Sequence, residues 1–155
     1  MHVTTIGLDL AKNVFQVHGI DENGEVALCT LSAFNLDKIK SLSDFERLSM
    51  IVVRALDALL DYQNYPLPAA ERSTMLRRSL GVGVINYAHW LAKNGLKYSD
   101  GSANNKTHEL IEAMQYYLLK ASMQLAKEKG KCGGFEETKY AKGVMPIDRY
   151  KADVD

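Results

Sequence analysis

The sequence has no surplus of charge to offer a partner: 19 Lys and Arg are balanced by 19 Asp and Glu over 155 residues. Bulk electrostatic capture of a polyanion is therefore unsupported, and nucleic acid is not an expected partner. No apolar run approaches the ~18–20 residues that span a bilayer, so no membrane helix is expected. Met1 to Lys12 lacks the basic-then-apolar order of a secretory signal, which makes the cytoplasm the expected location. Cysteine is scarce as well. Cys29 and Cys132 lie far apart, with no CxxC pair. A structural disulfide is disfavoured in a reducing compartment, and structural zinc wants closely spaced ligand pairs. There is no internal repeat and no low-complexity tract.

What is present is lopsided. Val3 to Asp9, Val14 to Ile20 and Glu25 to Leu31 are β-branched or apolar runs, and Asp21-Glu22-Asn23-Gly24 is a strong turn between the last two. Beyond Leu36 the period lengthens to about 3.6. Ser43 with Glu46 spells a capping box, and Phe45, Leu48, Val52, Ala55, Leu56 and Leu59 fall on one helical face. Pro66 and Pro68 are expected to end that helix. A second helical stretch, Ala69 to Lys93, is interrupted at Gly81-Val82-Gly83. The clearest helix is Thr107 to Lys129, with Leu110, Ile111, Met114, Tyr117, Leu118, Ala121 and Leu125 as its stripe and Gly130 to stop it. The tail is broken by Gly133-Gly134 and Pro146. The expected fold class is an α/β fragment, a β-rich head followed by a mainly α-helical body, where a whole α/β domain would alternate the two.

Few residues converge on chemistry. Gly81-Val82-Gly83 is part of a dinucleotide-loop pattern, but Asn86 stands at the third glycine position, so close helix packing through small residues is the plainer reading. His89 has no ligand at helical spacing, and His108 has only Glu112, a pair expected on a solvated helix face. Of Tyr116 and Tyr117, adjacent on a helix, one should pack and the other lie at the surface. Tyr98 to Ser102 reads as a polar turn. Asp9 closes an apolar strand, where a carboxylate can hold magnesium. Cys29 lies within a strand, either as a small buried hydrophobe or as a redox thiol that needs a partner.

Six runs carry a family resemblance: GEVALCTLSAFNL (24–36), RALDALLDYQNYPLPAA (54–70), RRSLGVGVIN (77–86), YSDGSANN (98–105), QYYLLKAS (115–122) and ETKYAKGVMPIDRYK (137–151). In this order they closely resemble the large (alpha) subunit of class I ribonucleoside-diphosphate reductases, over residues 24–155. The resemblance implies a piece of a ten-stranded α/β barrel from an enzyme that makes deoxyribonucleotides, the DNA precursors, by radical chemistry. It places Cys29 at one half of the redox pair that reduces the ribose, and gives Cys132 no assigned role. Asp37 stands where the family often has glycine, and Gly133-Gly134 replaces a Pro-Trp step. The parent enzyme is served by a radical-generating small subunit and a thiol reductant.

Residues 1–23 do not fit that family. TTIGLDLAKNVFQVHGID (4–21) instead resembles the start of insertion-sequence transposases with a RuvC-like DEDD domain, in which Asp9 matches the first metal-binding carboxylate. The join falls between about Gly19 and Val26. By resemblance, the radical-bearing cysteine, the partner of Cys29, the allosteric cone, the substrate-phosphate loop, the radical-transfer tyrosines and the mobile thiols have no counterpart here. The expected function is therefore that of a reductase large-subunit fragment, inactive alone and needing no cofactor of its own. An interaction module for reductase subunits and a truncated transposase fusion are the alternatives. Strands cut from a barrel leave unpaired edges, and helices cut from it leave apolar stripes, so self-association is also expected. Thermal unfolding should accordingly be broad and concentration-dependent. A sharp monomeric transition in calorimetry would contradict this.

Overall fold

A computed structural model describes the backbone of residues 3–11, 14–21 and 26–148, and side chains from 28 to 148. Strand β1, Val3–Ala11, pairs antiparallel with β2, Val14–Asp21, in the register Ile6↔Gly19, Asp9↔Gln16 and Ala11↔Val14. The next pairing, also antiparallel, sets Val17 opposite Cys29 of β3, Val26–Asn35. The expected turn at 21–24 lies mostly outside the described residues. β3 runs four residues past its expected end at Leu31, because its second half has a partner the sequence reading did not provide. That partner is β4, Leu80–Ile85, parallel to β3 from Thr30↔Leu80 to Asn35↔Ile85. The sheet order is β1-β2-β3-β4.

The crossover between the parallel strands is helical, as parallel pairing requires. Helix α1, Asp44–Tyr62, begins where the capping box was expected, but the box does not form. Ser43 is itself helical and makes no side-chain cap bond. The first amides of the helix, those of Asp44, Phe45 and Glu46, donate instead to the Ser41, Leu42 and Ser43 carbonyls, while the Asp44 carboxylate ties back the preceding loop by accepting from the Lys40 and Ser41 amides at 2.8 and 3.0 Å. Glu46 reaches Lys120 rather than its own backbone. The buried face is also rotated from the expected one. Phe45, Ser49, Val53, Leu56 and Leu60 are buried, whereas Ala55 and Leu59 face solvent. α1 ends at Tyr62, before either proline. Pro68 opens helix α2, Pro68–Arg77, in the first turn, where its missing amide donor costs nothing.

The helical stretch expected over 69–93, with its interruption at Gly81-Val82-Gly83, is three elements: α2, β4 and α3, Tyr87–Lys93, so the interruption is a strand. Two residues make the breaks. Arg78 (φ 46°) and Asn86 (φ 63°) both occupy the left-handed region, which stops helical propagation on either side of β4. Between them, Val82, Val84 and Ile85 favour a strand. Gly81 is not helix packing but strand packing. A Cβ there would lie 2.4 Å from Leu31 Cδ2. The long helix α4, Asn104–Lys129, starts three residues before its expected first residue and stops at Gly130 (φ 92°). Its buried residues, Leu110, Met114, Ala121 and Leu125, are members of the expected stripe. Ile111 is the member left exposed.

Helices α1 and α4 run parallel, tied at their rims by Glu46–Lys120 and Arg54–Glu128, both 2.6 Å. Exposed pairs of this kind contribute little. The core beneath them contributes more. Phe34 meets Phe45 edge-to-face at 5.2 Å, with Leu36, Leu110 and Met114 around them. A second cluster joins Val53 to Ala121 and Leu125.

One ionic network locks α1 to the head of β4. Asp57, buried on the inner side of α1, accepts from Arg78 Nε at 2.6 Å and Lys129 Nζ at 2.8 Å. The same guanidinium donates to the Asp57 carbonyl and to both oxygens of Asp61. Burial pushes the Asp57 carboxyl up, but the hydrogen bonds and charges of Arg78 and Lys129 outweigh it and hold it below the usual range. Asp61 is lowered chiefly by its hydrogen bond to Arg78.

Two outcomes are expected. Both carboxyls are depressed in the folded state, so their stabilisation is complete above the unfolded carboxylate pKa, ~3.9, and is lost as pH falls below it. Arg78→Ala should cost about 2–4 kcal/mol at neutral pH by leaving a buried carboxylate half-paired, and should flatten that acid limb. Urea titrations at pH 7 and pH 3.5 measure both effects. An unchanged acid limb would contradict the assignment. Gly81→Ala should cost under about 1 kcal/mol, since the Leu31 terminal methyl can turn aside, whereas Gly81→Val should cost about 1–3 kcal/mol by forcing the strands apart. Equal costs for Ala and Val would show that the contact is not the constraint.

Candidate functional site

Alternation along β3 decides what Cys29 can touch. Thr30 and Phe34 point to the helical side. Thr30 is buried, its hydroxyl 3.5 Å from the Leu56 carbonyl oxygen, and Phe34 packs on Phe45. Cys29, Leu31, Ala33 and Asn35 occupy the alternate positions and so share the other face. On β4 the matching row is Gly81, Gly83 and Ile85, while Leu80, Val82 and Val84 pack toward the core. The face opposite the helices is lined by small groups towards its C-terminal end. Ala33 is exposed, Ile85 is 50% exposed, and a Cβ on Gly83 would meet nothing within 4 Å. Cys29 is half-buried, at the N-terminal end of this lane.

At the C-terminal end, a polar cluster closes the strand pair. Asn35 Oδ1 accepts from the Asn86 side-chain amide at 2.8 Å and from the Asp37 backbone amide at 3.1 Å. The left-handed turn at Asn86 brings that side chain back across the strand ends. Asp37, in the 3₁₀ turn Leu36–Lys38, collects two lysines and an imidazole: Lys38 at 3.0 Å, Lys93 at 3.5 Å and His89 Nε2 at 3.2 Å. The Lys38 hydrogen bond, then its charge, lowers the Asp37 carboxyl, with smaller help from Lys93 and His89. The residue that departs from the resembled family's glycine is thus the tie between the end of β3 and helix α3.

The other residues singled out in the sequence do not converge on Cys29. Asp9 lies in β1 opposite Gln16, which itself faces Thr30. Its row therefore adjoins the row of Leu8, Val17 and Cys29, and its side chain lies outside those described. Cys132 follows α4, in a segment tied to α2 by the Gly134 amide donating to the Leu76 carbonyl at 2.8 Å. No disulfide joins it to Cys29. Gly81-Val82-Gly83 lies within β4 and forms no phosphate loop. His108 and Glu112 are exposed and 4.0 Å apart, as a solvated pair should be. Tyr117 packs on the core while Tyr116 faces outward, their rings in edge contact at 5.1 Å. Among the described residues no group of three or more His, Cys, Asp or Glu could hold a metal ion, and no helix is long and apolar enough to cross a membrane. The Asn35–Asn86–Asp37–His89 cluster is not visible at helical spacing from His89 in the sequence. The carboxylate partner of His89, Asp37, lies 52 residues away in sequence, at the end of the strand that β4 pairs with.

Residues 13–155 match a known family, described as "Ribonucleotide reductase, barrel domain". The ribonucleoside-diphosphate reductase subunit alpha of Haemophilus influenzae is 67% identical over 138 residues, which is 89% of this chain and 18% of that protein. Its namesake in Enterobacteria phage T4 is 50% identical over 135 residues, 86% of this chain and 18% of that one. Among solved structures, the alpha subunit of the Actinobacillus ureae class Id ribonucleotide reductase superposes with a TM-score of 0.66 at 25% identity, over 76% of this chain and 24% of that chain. The chain thus spans under a fifth of the length of these curated relatives. It matches part of an alpha-subunit barrel domain, and it belongs to the ribonucleotide reductase family.

Proposed function

We propose that Cys29 is one redox thiol of the reductase reaction, the conversion of ribonucleoside diphosphates to deoxyribonucleotides, and that these 155 residues alone do not complete that reaction. The observation that carries this reading is the place of Cys29: on β3, half-buried, on the sheet face turned away from the helices, at one end of a lane lined by Ala33 and Gly83. A buried structural cysteine belongs on the helical side, where Thr30 sits. Removing a ribose hydroxyl as water consumes two electrons and two protons, which two facing thiols supply as they become a disulfide. Cys29 provides one of them. Cys132, tethered beyond α4, is not joined to it. Catalysis of this kind needs its groups within contact distance. The parent's radical-generating small subunit and thiol reductant would act on the larger assembly rather than on this chain alone.

A second reading, an interaction module for reductase subunits, is favoured by the edge strand β4 with its exposed Ile85. A third proposal concerns the head. It is that residues 1–23 are a transposase-like segment ahead of the reductase-derived 24–155; it rests on the likeness of residues 4–21, and of these residues the family match leaves only 1–12 outside it. Asp9 would then be a lone carboxylate, too few to hold the metal ions of a nuclease site.

The purified chain, given a ribonucleoside diphosphate and a dithiol, should form no deoxynucleotide, and given magnesium it should not cleave DNA. Product in either assay would overturn the reading. Cys29→Ser should leave the unfolding midpoint within about 1 kcal/mol of the parent, because the thiol does not build the core. A loss of several kcal/mol would make Cys29 a packing residue instead. Co-purification with an intact large or small reductase subunit would favour the interaction reading.

A further inference from the structure

Gly81 and Gly83 stand two residues apart in the row of β4 that shares the Cys29 face, but their surroundings differ. Neither has a positive φ, so the backbone would accept a side chain at both. At Gly83 a Cβ would meet nothing within 4 Å, whereas at Gly81 it would run into the Leu31 Cδ2 methyl. Leu31 is the residue directly across the parallel pair from Gly81. Its side chain therefore leans sideways, over the bare Cα of β4. Cys29 precedes Leu31 by two residues on the same face, about 7 Å along the strand.

That lean leaves the space beside the thiol open. A long side chain in a strand has two common χ1 settings, and the one taken by Leu31 uses the room that the missing Cβ provides. With that room filled, the side chain must stand over its own strand, where its neighbours on this face are Cys29 and Ala33. The core does not hold Leu31 in its present setting. It is half-buried and belongs to neither hydrophobic cluster of the described residues. If Gly81 served only to let the two strands pack, filling it would change stability and leave the thiol as it was.

We propose that Gly81 is a positioning residue for Cys29, acting through Leu31: by letting that side chain lie across β4, it keeps the thiol within reach of what it reacts with. The role this gives Gly81 in catalysis rests on the redox reading of Cys29, but its geometry is tested separately. The measurement is the rate at which iodoacetamide alkylates Cys29 in the folded full chain, the thiolate sulfur displacing iodide. Peptide mass mapping reads the site, because Cys132 also carries a thiol. Gly81→Ala should slow Cys29 roughly threefold or more and leave Cys132 unchanged, since thiol reactivity follows access as well as thiolate fraction. Leu31→Ala should react at least as fast as the parent, and adding Gly81→Ala to it should change nothing further. Unchanged Cys29 reactivity in Gly81→Ala, the same slowing in the Leu31→Ala background, or a parent Cys29 that does not alkylate when folded would overturn the proposal. So would loss of the parent's helical circular dichroism in Gly81→Ala, because Leu31 would then be unable to turn aside. Exchange with a small disulfide tests the redox reading on its own. A Cys29 that alkylates but forms no dithiol-reducible mixed disulfide would sink that reading and leave the dependence on Leu31 standing.

Discussion

The Arg78 guanidinium holds this arrangement together. It stands at the one point where the chain must leave a helix, turn through the left-handed region and enter a parallel strand. There it binds two carboxylates of α1 and one of its carbonyls. Beside that clamp, α1 and β4 meet through the core, where Val52 and Val53 share clusters with Leu80, Val82 and Val84. With the clamp, the height and direction of β4 are set relative to α1, and α1 is in turn set on β3 through Phe45 and Phe34. Lys129, from the last turn of α4, closes the same network on Asp57. Three elements far apart in sequence thus meet at one buried carboxylate. Several correctly placed donors around one acceptor can offset its desolvation where a single ion pair often does not.

The two faces of the sheet have different demands. On the helical side, bulky residues interlock: Phe34, Leu36, Phe45, Leu110 and Met114. On the other side, the same strands carry Cys29, Ala33, Gly81 and Gly83. A thiol that must meet a substrate and a second thiol cannot be enclosed by its own fold, and the side left uncovered by α1 is the place for it. The sequence of β3 contains part of this asymmetry, since Leu28 and Phe34 fall at even positions and Cys29 and Ala33 at odd ones, with Leu31 the exception.

How much of this is legible in the residues varies from element to element, for physical reasons. α4 is legible because its apolar residues keep a 3.6 period from Leu110 to Leu125 and Gly130 ends it. The first two strands were legible from β-branched runs. β4 was not. Its six residues include two glycines, its period is masked by neighbouring helices, and its identity comes from a partner strand fifty positions earlier, which periodicity cannot detect. Missing β4 had a cost, because the polar cluster at Asn35, Asp37, Asn86 and His89 exists only where β3 and β4 end side by side. The rotated face of α1 has a similar origin. Ser49 and Asp57 are buried polar residues that an apolar count excludes, and Asp57 is buried only because Arg78 and Lys129 come to it. The resemblance in the six runs located Cys29 on its strand. The direction in which that strand presents it follows from the packing of Thr30 and Phe34.

The parallel pairing of β3 with β4 also has a consequence for the order of events as the chain is made. Thr30 and Leu80 are partners, yet fifty residues separate them. The C-terminal half of β3 must therefore leave the ribosome, and wait through the emergence of α1 and α2, before its neighbour exists. Contacts that close so long a loop form late and slowly. During that interval the stretch from Leu31 to Asn35 is an apolar strand with an open edge, the kind of surface a chaperone holds or another nascent chain captures.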